Sequence, residues 1–319
     1  MMTQSLRGMR GKGPMHWRGD RTGQNRQRGE TLEEAAFKEF NEAFVGLLGR
    51  EQELPREEMD KFTDFALQLS YPPNPIRKLD NSLTPVQAEG EEIYHTINTD
   101  LIATCNGCHK LSPEEGFFGT DGTMSIEGPG VAEDFKIPHL RNMYQKIGMF
   151  ADNTQVDSPY LGNQIRGFGF DHQGSSGSVS NFLDALVFNL LLGPERRVIV
   201  EQFVLAFPSE LNPIVGQQLT ISPANHGRSD VQARLLLLEQ RAAIKAPRPE
   251  CDLIANAVSG DQIHSWVMND NARFVPANPQ APALSTLELL SQFLAANEPV
   301  TFTCTPPGSG VRIAFRRGA

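Results

Sequence analysis

Five consecutive residues, Cys105-Asn106-Gly107-Cys108-His109, constrain this chain more than any other stretch, because they set two thiols three residues apart with an imidazole directly behind them. Covalent attachment of haem c requires that spacing. The thiols form thioethers to the two vinyl groups, and the adjacent histidine lies below the iron as its proximal ligand. With 4 Cys and 7 His in the chain, the motif has a chance expectation of roughly one in a thousand. A zinc site would need a second pair of ligands at similar spacing, whereas the other cysteines, Cys251 and Cys304, stand far apart. A thioredoxin-like dithiol is the remaining rival. The following His and the lack of a βαβ pattern count against it.

The 319 residues, 39% hydrophobic and 21% charged, are enough for two modest domains. No run approaches the ~20 apolar residues of a membrane span. The opening MMTQSLRGMRGKG has basic residues but no apolar run behind them, so no export signal is visible in it. Haem c is attached outside the bacterial cytoplasm. The expected location is therefore periplasmic or extracellular, and the chain is expected to be partial or mature. Residues 1 to 28 carry seven basic side chains against Asp20, a net +6 in a chain of net −9, which leaves −15 elsewhere. Such an arm is either solvated or wraps the haem domain and offers arginines to the propionates. With an acidic remainder and no stacking platform, nucleic acid is not an expected partner.

Thr31-Leu32-Glu33-Glu34 is a capping box, and Leu32, Phe37, Phe40, Phe44 and Leu47 recur at helical spacing up to Gly49. A second amphipathic helix follows from about Pro55, with Met59, Phe62, Phe65 and Leu69 on one face, before Pro72-Pro73. Residues 71 to 83 form a Pro-rich connector. Thr84-Pro85-Val86-Gln87 starts the helix that runs toward the haem motif.

A helix reading Gly90-x-x-Ile93-Tyr94 and followed by C-x-x-C-H resembles the N-terminal helix of class I cytochromes c, where it crosses the C-terminal helix. Gly116, Gly119, Gly122, Gly128 and Gly130 fit the loop at the haem edge. Phe135-Lys136-Ile137-Pro138-His139-Leu140-Arg141-Asn142 and Phe170-Asp171-His172-Gln173-Gly174-Ser175 are similar to stretches of the bacterial di-haem cytochrome c peroxidase superfamily. Pro14 to Gly23 resembles a segment upstream of haem modules in multidomain members. The resemblance implies cofactor contact at Arg141. Two differences stand out: only one C-x-x-C-H exists, and the superfamily's H-D-G reads His172-Gln173-Gly174.

For the sixth iron ligand, Met149 in Lys146-Ile147-Gly148-Met149-Phe150 looks like the ligand loop of Met-ligated cytochromes c. A thioether there favours ferrous iron, as electron transfer needs. His172 is the runner-up, followed by His139, Met143 and His95. Asn181 to Leu192 reads as the helix closing the haem domain, ended by Gly193-Pro194.

In the last hundred residues, Gln218–Ile221, Cys251–Val258, Ile263–Met268 and Val300–Cys304 read as strands, and Val311 to Phe315 as their continuation after a Pro-Pro-Gly-Ser-Gly turn. Ser229 and Ser285 cap helices. Cys251 and Cys304, the two cysteines left once Cys105 and Cys108 hold haem, are expected to form a disulfide in an oxidising compartment.

The expected fold is a mainly α, cytochrome c-like haem domain followed by a small α+β module with a mostly antiparallel sheet. The expected segments are an arm (1–30), a helical pair with connector (31–83), the haem domain (84–207) and the C-terminal module (208–319). The expected role is electron transfer through one His/Met-ligated haem c, as a module of a larger exported redox protein with a redox partner or neighbouring subunit. The alternatives are a peroxidase or di-haem-oxidase-like enzyme with an open distal site, and an assembly subunit with a structural haem.

Overall fold

A computed structural model describes residues 5–100, 103–126, 134–148, 169–170, 174, 176–278 and 280–315. The chain divides into two compact units, Met1–Arg77 with Leu83–Glu210, and Lys78–Ser82 with Leu211–Ala319. The arm, the helical pair and the haem-motif segment thus fall into a single unit.

In the first unit, the arm is packed rather than solvated. Met9 and Met15 are buried with Ala36, Phe37, Met59 and Leu67, and Trp17 stacks on Phe135 at 5.2 Å between ring centroids. Around them lie α1 (Leu32–Lys38), α2 (Asn41–Gly46) and α3 (Arg56–Leu67). The single helix expected from Thr31 to Gly49 breaks after Lys38. There Asn41 turns its amide to the backbone of Leu54, donating to its oxygen at 2.9 Å and accepting from its nitrogen at 3.0 Å. Phe65, expected on the buried face of α3, is 60% exposed, because Met59, Thr63 and Ala66 define that face.

The rest of this unit is built on α4 (Pro85–Thr96) and α7 (Leu186–Leu205). Thr84 and Gln87 close a capping box at the start of α4. The two helices meet at Gly90, where an added Cβ would lie 2.5 Å from the Ile199 oxygen and 2.8 Å from Phe203 Cβ. Only a hydrogen fits in that contact. Helix α7 is bent at Gly193, whose φ of 65° and ψ of 169° are non-helical, just before Pro194. Between these helices run β1 (Asn98–Asp100), β2 (Ala103–Thr104), the one-turn α5 (Cys105–Cys108), β3 (Leu111–Ser112), β4 (Phe117–Phe118), β5 (Met124–Ile126), β6 (Asp134–Lys136) and α6 (Val179–Phe182). The strands pair as three two-stranded antiparallel ribbons, β1 with β2, β3 with β4 and β5 with β6.

The second unit is a five-stranded antiparallel sheet in the order β10-β9-β8-β11-β7. Its strands are β7 (Gln218–Ile221), β8 (Asp252–Ser259), β9 (Gln262–Met268), β10 (Phe274–Pro276) and β11 (Val300–Thr305). Helices α8 (Ser229–Ala243) and α9 (Thr286–Leu294) bury Leu235, Leu238, Leu289 and Phe293 in one core with Leu253, Ala255, Val300 and Phe302 from the sheet. Val311–Phe315, expected as a strand, is part of α10 (Gly310–Phe315). Asp252 Oδ2 accepts from the Gly310 nitrogen at 2.8 Å, and this pairing at the helix start fixes the turn. Cys251 and Cys304, both fully buried, are joined as a disulfide with Cα atoms 5.4 Å apart.

The expectation of a mainly α, cytochrome c-like fold is not met. Of the described residues 36% are helical and 16% are in strands, with short helices and a five-stranded sheet. The physical reason lies partly between Asn98 and Lys136, where the described residues form short two-stranded ribbons in place of the irregular loop expected at the haem edge, and partly in the weight of the five-stranded sheet against few and short helices. No described helix is long and apolar enough to cross a membrane.

Candidate functional site

Tyr94, four residues beyond the Gly90 crossing, is wholly buried, its ring 5.3 Å from that of Phe203 and 5.7 Å from that of Phe207. Its hydroxyl donates to the carbonyl oxygen of His109. The helix crossing is thereby tied to the end of the motif. At the motif's start, Thr104 caps the single turn α5 by accepting from the Gly107 nitrogen at 3.1 Å. Cys105 and Cys108 therefore sit three residues apart on one side of a turn.

Both thiols are free of disulfide bonding among the described residues and half-buried, and Cys105 Sγ lies 3.3 Å from Thr99 Oγ1. Burial pushes both thiols up, and Asp100 adds to the effect at Cys108. A dithiol used for exchange needs the opposite, a thiolate stabilised near neutral pH. Thiols raised by burial count against the thioredoxin-like alternative. As for zinc, no group of three or more His, Cys, Asp or Glu side chains converges among the described residues.

The His109 nitrogen donates to the Cys105 oxygen at 2.8 Å, closing the turn. Its Nδ1 lies 3.0 Å from both the Gly119 and the Pro138 carbonyl oxygens. A carbonyl only accepts, so Nδ1 carries the hydrogen and Nε2 keeps its lone pair. Burial holds the imidazole below its usual range and hence neutral. Metal-ligating histidines are oriented in this way, with one nitrogen donating to a backbone oxygen and the other facing the metal. The half-buried Leu111, Tyr144, Ile147 and Phe188 pack with Cys105 against the surrounding apolar core.

The same unit gathers positive charge around His139. Arg141 is 1% exposed, and Nη2 donates to the Gly8 oxygen at 3.0 Å while Nη1 faces Glu210. Its Nε has no hydrogen-bond partner among the described residues. Burial pushes Arg141 down to about 10 and Lys136 to about 8, and also lowers Lys146. Together with Lys12 these cations hold His139, already disfavoured as a cation by burial, well below its normal range. Haem c fits this donor set at the thiols and the imidazole: two thiols without a disulfide on one turn and, among the described residues, an imidazole whose Nε2 keeps its lone pair. Arg141, already paired with Glu210, adds positive charge to the same unit.

The structure brings Cys105, Cys108, His109 and Arg141 into one unit, with Pro138 and His139 between the histidine and the arginine. Met149 and His172, the expected distal ligands, lie outside the described residues. Of the lesser candidates, His139 has both nitrogens engaged, Nε2 at 2.9 Å from Tyr71 Oη and Nδ1 accepting from the Arg141 nitrogen at 3.2 Å. Met143 is buried in the core, and His95 is exposed. Tyr94, Tyr71 and the Pro138 carbonyl were not expected at the site. The Gly90-to-Tyr94 spacing marks the first as sharing the crossing face of α4, whereas nothing in the sequence announces the 68-residue reach from Tyr71 to His139. In the second unit a groove of about 400 Å³ beside Trp266, His264 and Pro276 holds no such donor set. No family model, curated protein or solved structure matches this chain.

Proposed function

We propose that this chain binds one haem c covalently through Cys105 and Cys108, ligates its iron with His109 Nε2, and passes electrons as a module of a larger exported redox assembly. The observation that carries the reading is the paired acceptance of the His109 Nδ1 hydrogen by Gly119 and Pro138, beside two free thiols on a single capped turn. Haem supplies a one-electron couple at iron. The chain's residues orient that group. His109 is fixed in rotation by two carbonyls, the apolar wall excludes water, and Arg141 with its neighbouring lysines offers positive charge to the propionates.

Transfer of electrons is favoured over peroxide chemistry because the sequence contains a single attachment motif, whereas enzymes of the resembling superfamily draw on a second haem. Met149 is the proposed distal ligand, with His172 the alternative. The proposed compartment is the periplasm or the extracellular space, where haem c maturation and the Cys251–Cys304 disulfide are both at home. A redox partner or neighbouring subunit completes the proposed assembly. The test is a reduced-minus-oxidised spectrum with cyanide titration of periplasmically matured protein. A low-spin haem with a methionine-to-iron band and no cyanide binding supports the carrier. A high-spin haem that binds cyanide and turns over peroxide overturns it in favour of an enzyme.

A further inference from the structure

The carbonyl that accepts from His109 is itself held by a clamp outside the haem motif. Pro138 and His139 share a peptide plane, so whatever fixes His139 also fixes the Pro138 oxygen. His139 is pinned at both ends of its ring. The backbone nitrogen of Arg141 donates to Nδ1 at 3.2 Å, which leaves Nε2 as the protonated nitrogen, and Nε2 donates to Tyr71 Oη at 2.9 Å. Tyr71 is in turn closely packed. It is 3% exposed, its ring lies edge-on to His139 at 4.9 Å between centroids, and the Arg141 guanidinium covers it at 4.8 Å. The next residue is anchored as well, Ser209 Oγ donating to the Pro72 oxygen at 3.1 Å. Gly8 completes the assembly by accepting from Arg141 Nη2 while its nitrogen donates to the Leu69 oxygen at 2.6 Å.

We propose that Tyr71 and His139 are positioning residues for the proximal ligand: they hold the Pro138 carbonyl against His109 Nδ1 and so set the basicity of the nitrogen facing the iron. The inference rests on the reading of His109 as a haem ligand. A carbonyl drawing on the Nδ1 hydrogen gives the imidazole more anionic character, and a more basic ligand favours ferric iron. The clamp therefore keeps the potential below the value His109 would give if its partner were free to drift.

The test is Tyr71→Phe, which keeps the ring under Arg141 and removes the oxygen that accepts from His139. In matured holo protein the expected result is unchanged haem attachment with a midpoint potential shifted upward. In the haem-free chain, nitrogen-15 spectra of labelled histidine should show a several-fold faster exchange of the His109 Nδ1 hydrogen. His139→Gln, whose amide can still donate to Tyr71, should lie closer to the parent than His139→Leu in both readouts. A Tyr71→Phe protein with bound haem, parental potential and parental exchange overturns the proposal, as does a loss of stability without either shift. If even the parent chain matures without haem, the reading of His109 as a ligand fails, and the exchange measurement still decides whether the clamp exists.

Discussion

The hydroxyl of Tyr94 donates to the carbonyl oxygen of His109, linking the point where α4 crosses α7 to the residue expected to meet the iron. Because Tyr94 is wholly buried between Phe203 and Phe207, Tyr94→Phe leaves a backbone acceptor stranded without rearranging the aromatic packing. The expected cost is about 1–3 kcal/mol. Urea unfolding of the haem-free protein measures it, and a variant as stable as the parent would remove this bond from the account.

Gly90→Ala should be more damaging. The added methyl meets the Ile199 oxygen and Phe203 at distances that no side-chain rotation relieves, so the helices must separate. A loss on the order of 3 kcal/mol is expected, read as a lowered denaturation midpoint. Ala88→Gly on the exposed face of α4 serves as control, with a helix-propensity cost of about 1 kcal/mol.

The pH dependence of the haem-free chain follows from its buried bases. His109 and His139 are held below the ordinary 6.5, so the unfolded chain takes up protons that the fold excludes, and stability falls as pH drops below 6.5. Lys136, pushed from 10.5 to about 8, acts at the other end. There the unfolded chain keeps its proton longer, and stability rises between pH 8 and 10.5. Bound propionates should raise Lys136 again, so the alkaline gain should shrink in holo protein. Denaturation midpoints at pH 5, 7 and 9, with and without haem, check both signs.

Deleting residues 1 to 28 removes Met9, Met15 and the Trp17 stack together with the Gly8 acceptor of Arg141. The charge pattern fits a solvated appendage, but the packing makes the arm part of the first unit. The deletion is expected to lower the thermal midpoint markedly, and a truncated chain with parental stability would return the arm to solvent.

Reduction of the Cys251–Cys304 bridge opens a loop spanning 53 residues. The chain-entropy estimate for such a loop is about 4 kcal/mol. Calorimetry of Cys304→Ser together with Cys251→Ser should show that loss in the second unit's transition while the first unit's transition stays in place.

How much of this was legible depends on the range of the interaction involved. Capping boxes at Thr31, Thr84 and Ser285 were readable because each closes within three residues. The break after Lys38 was not, since the helical stripe continues through Phe40 and Phe44 while the side chain at the start of the next helix, Asn41, finds its partner at Leu54. The strand expected at Val311 turned to helix for a similar reason, its start being capped by Asp252 from a distant strand. At the site, the thiols and His109 declare themselves by spacing, but the groups that orient the imidazole, Gly119 and Pro138, act through backbone oxygens that no side-chain pattern reveals. The mainly α expectation failed because the ribbons between Asn98 and Lys136 are only two or three residues long per strand, too short for alternation to register.

The central claim is tested most directly by maturing the chain in a periplasm equipped for haem c attachment, denaturing it, and staining the gel for haem while titrating free thiols. The account predicts a haem-stained band at the chain's own mass, Cys105 and Cys108 both closed to alkylation, and loss of the stain in Cys105→Ser with Cys108→Ser. A colourless chain in which both thiols alkylate freely would contradict it.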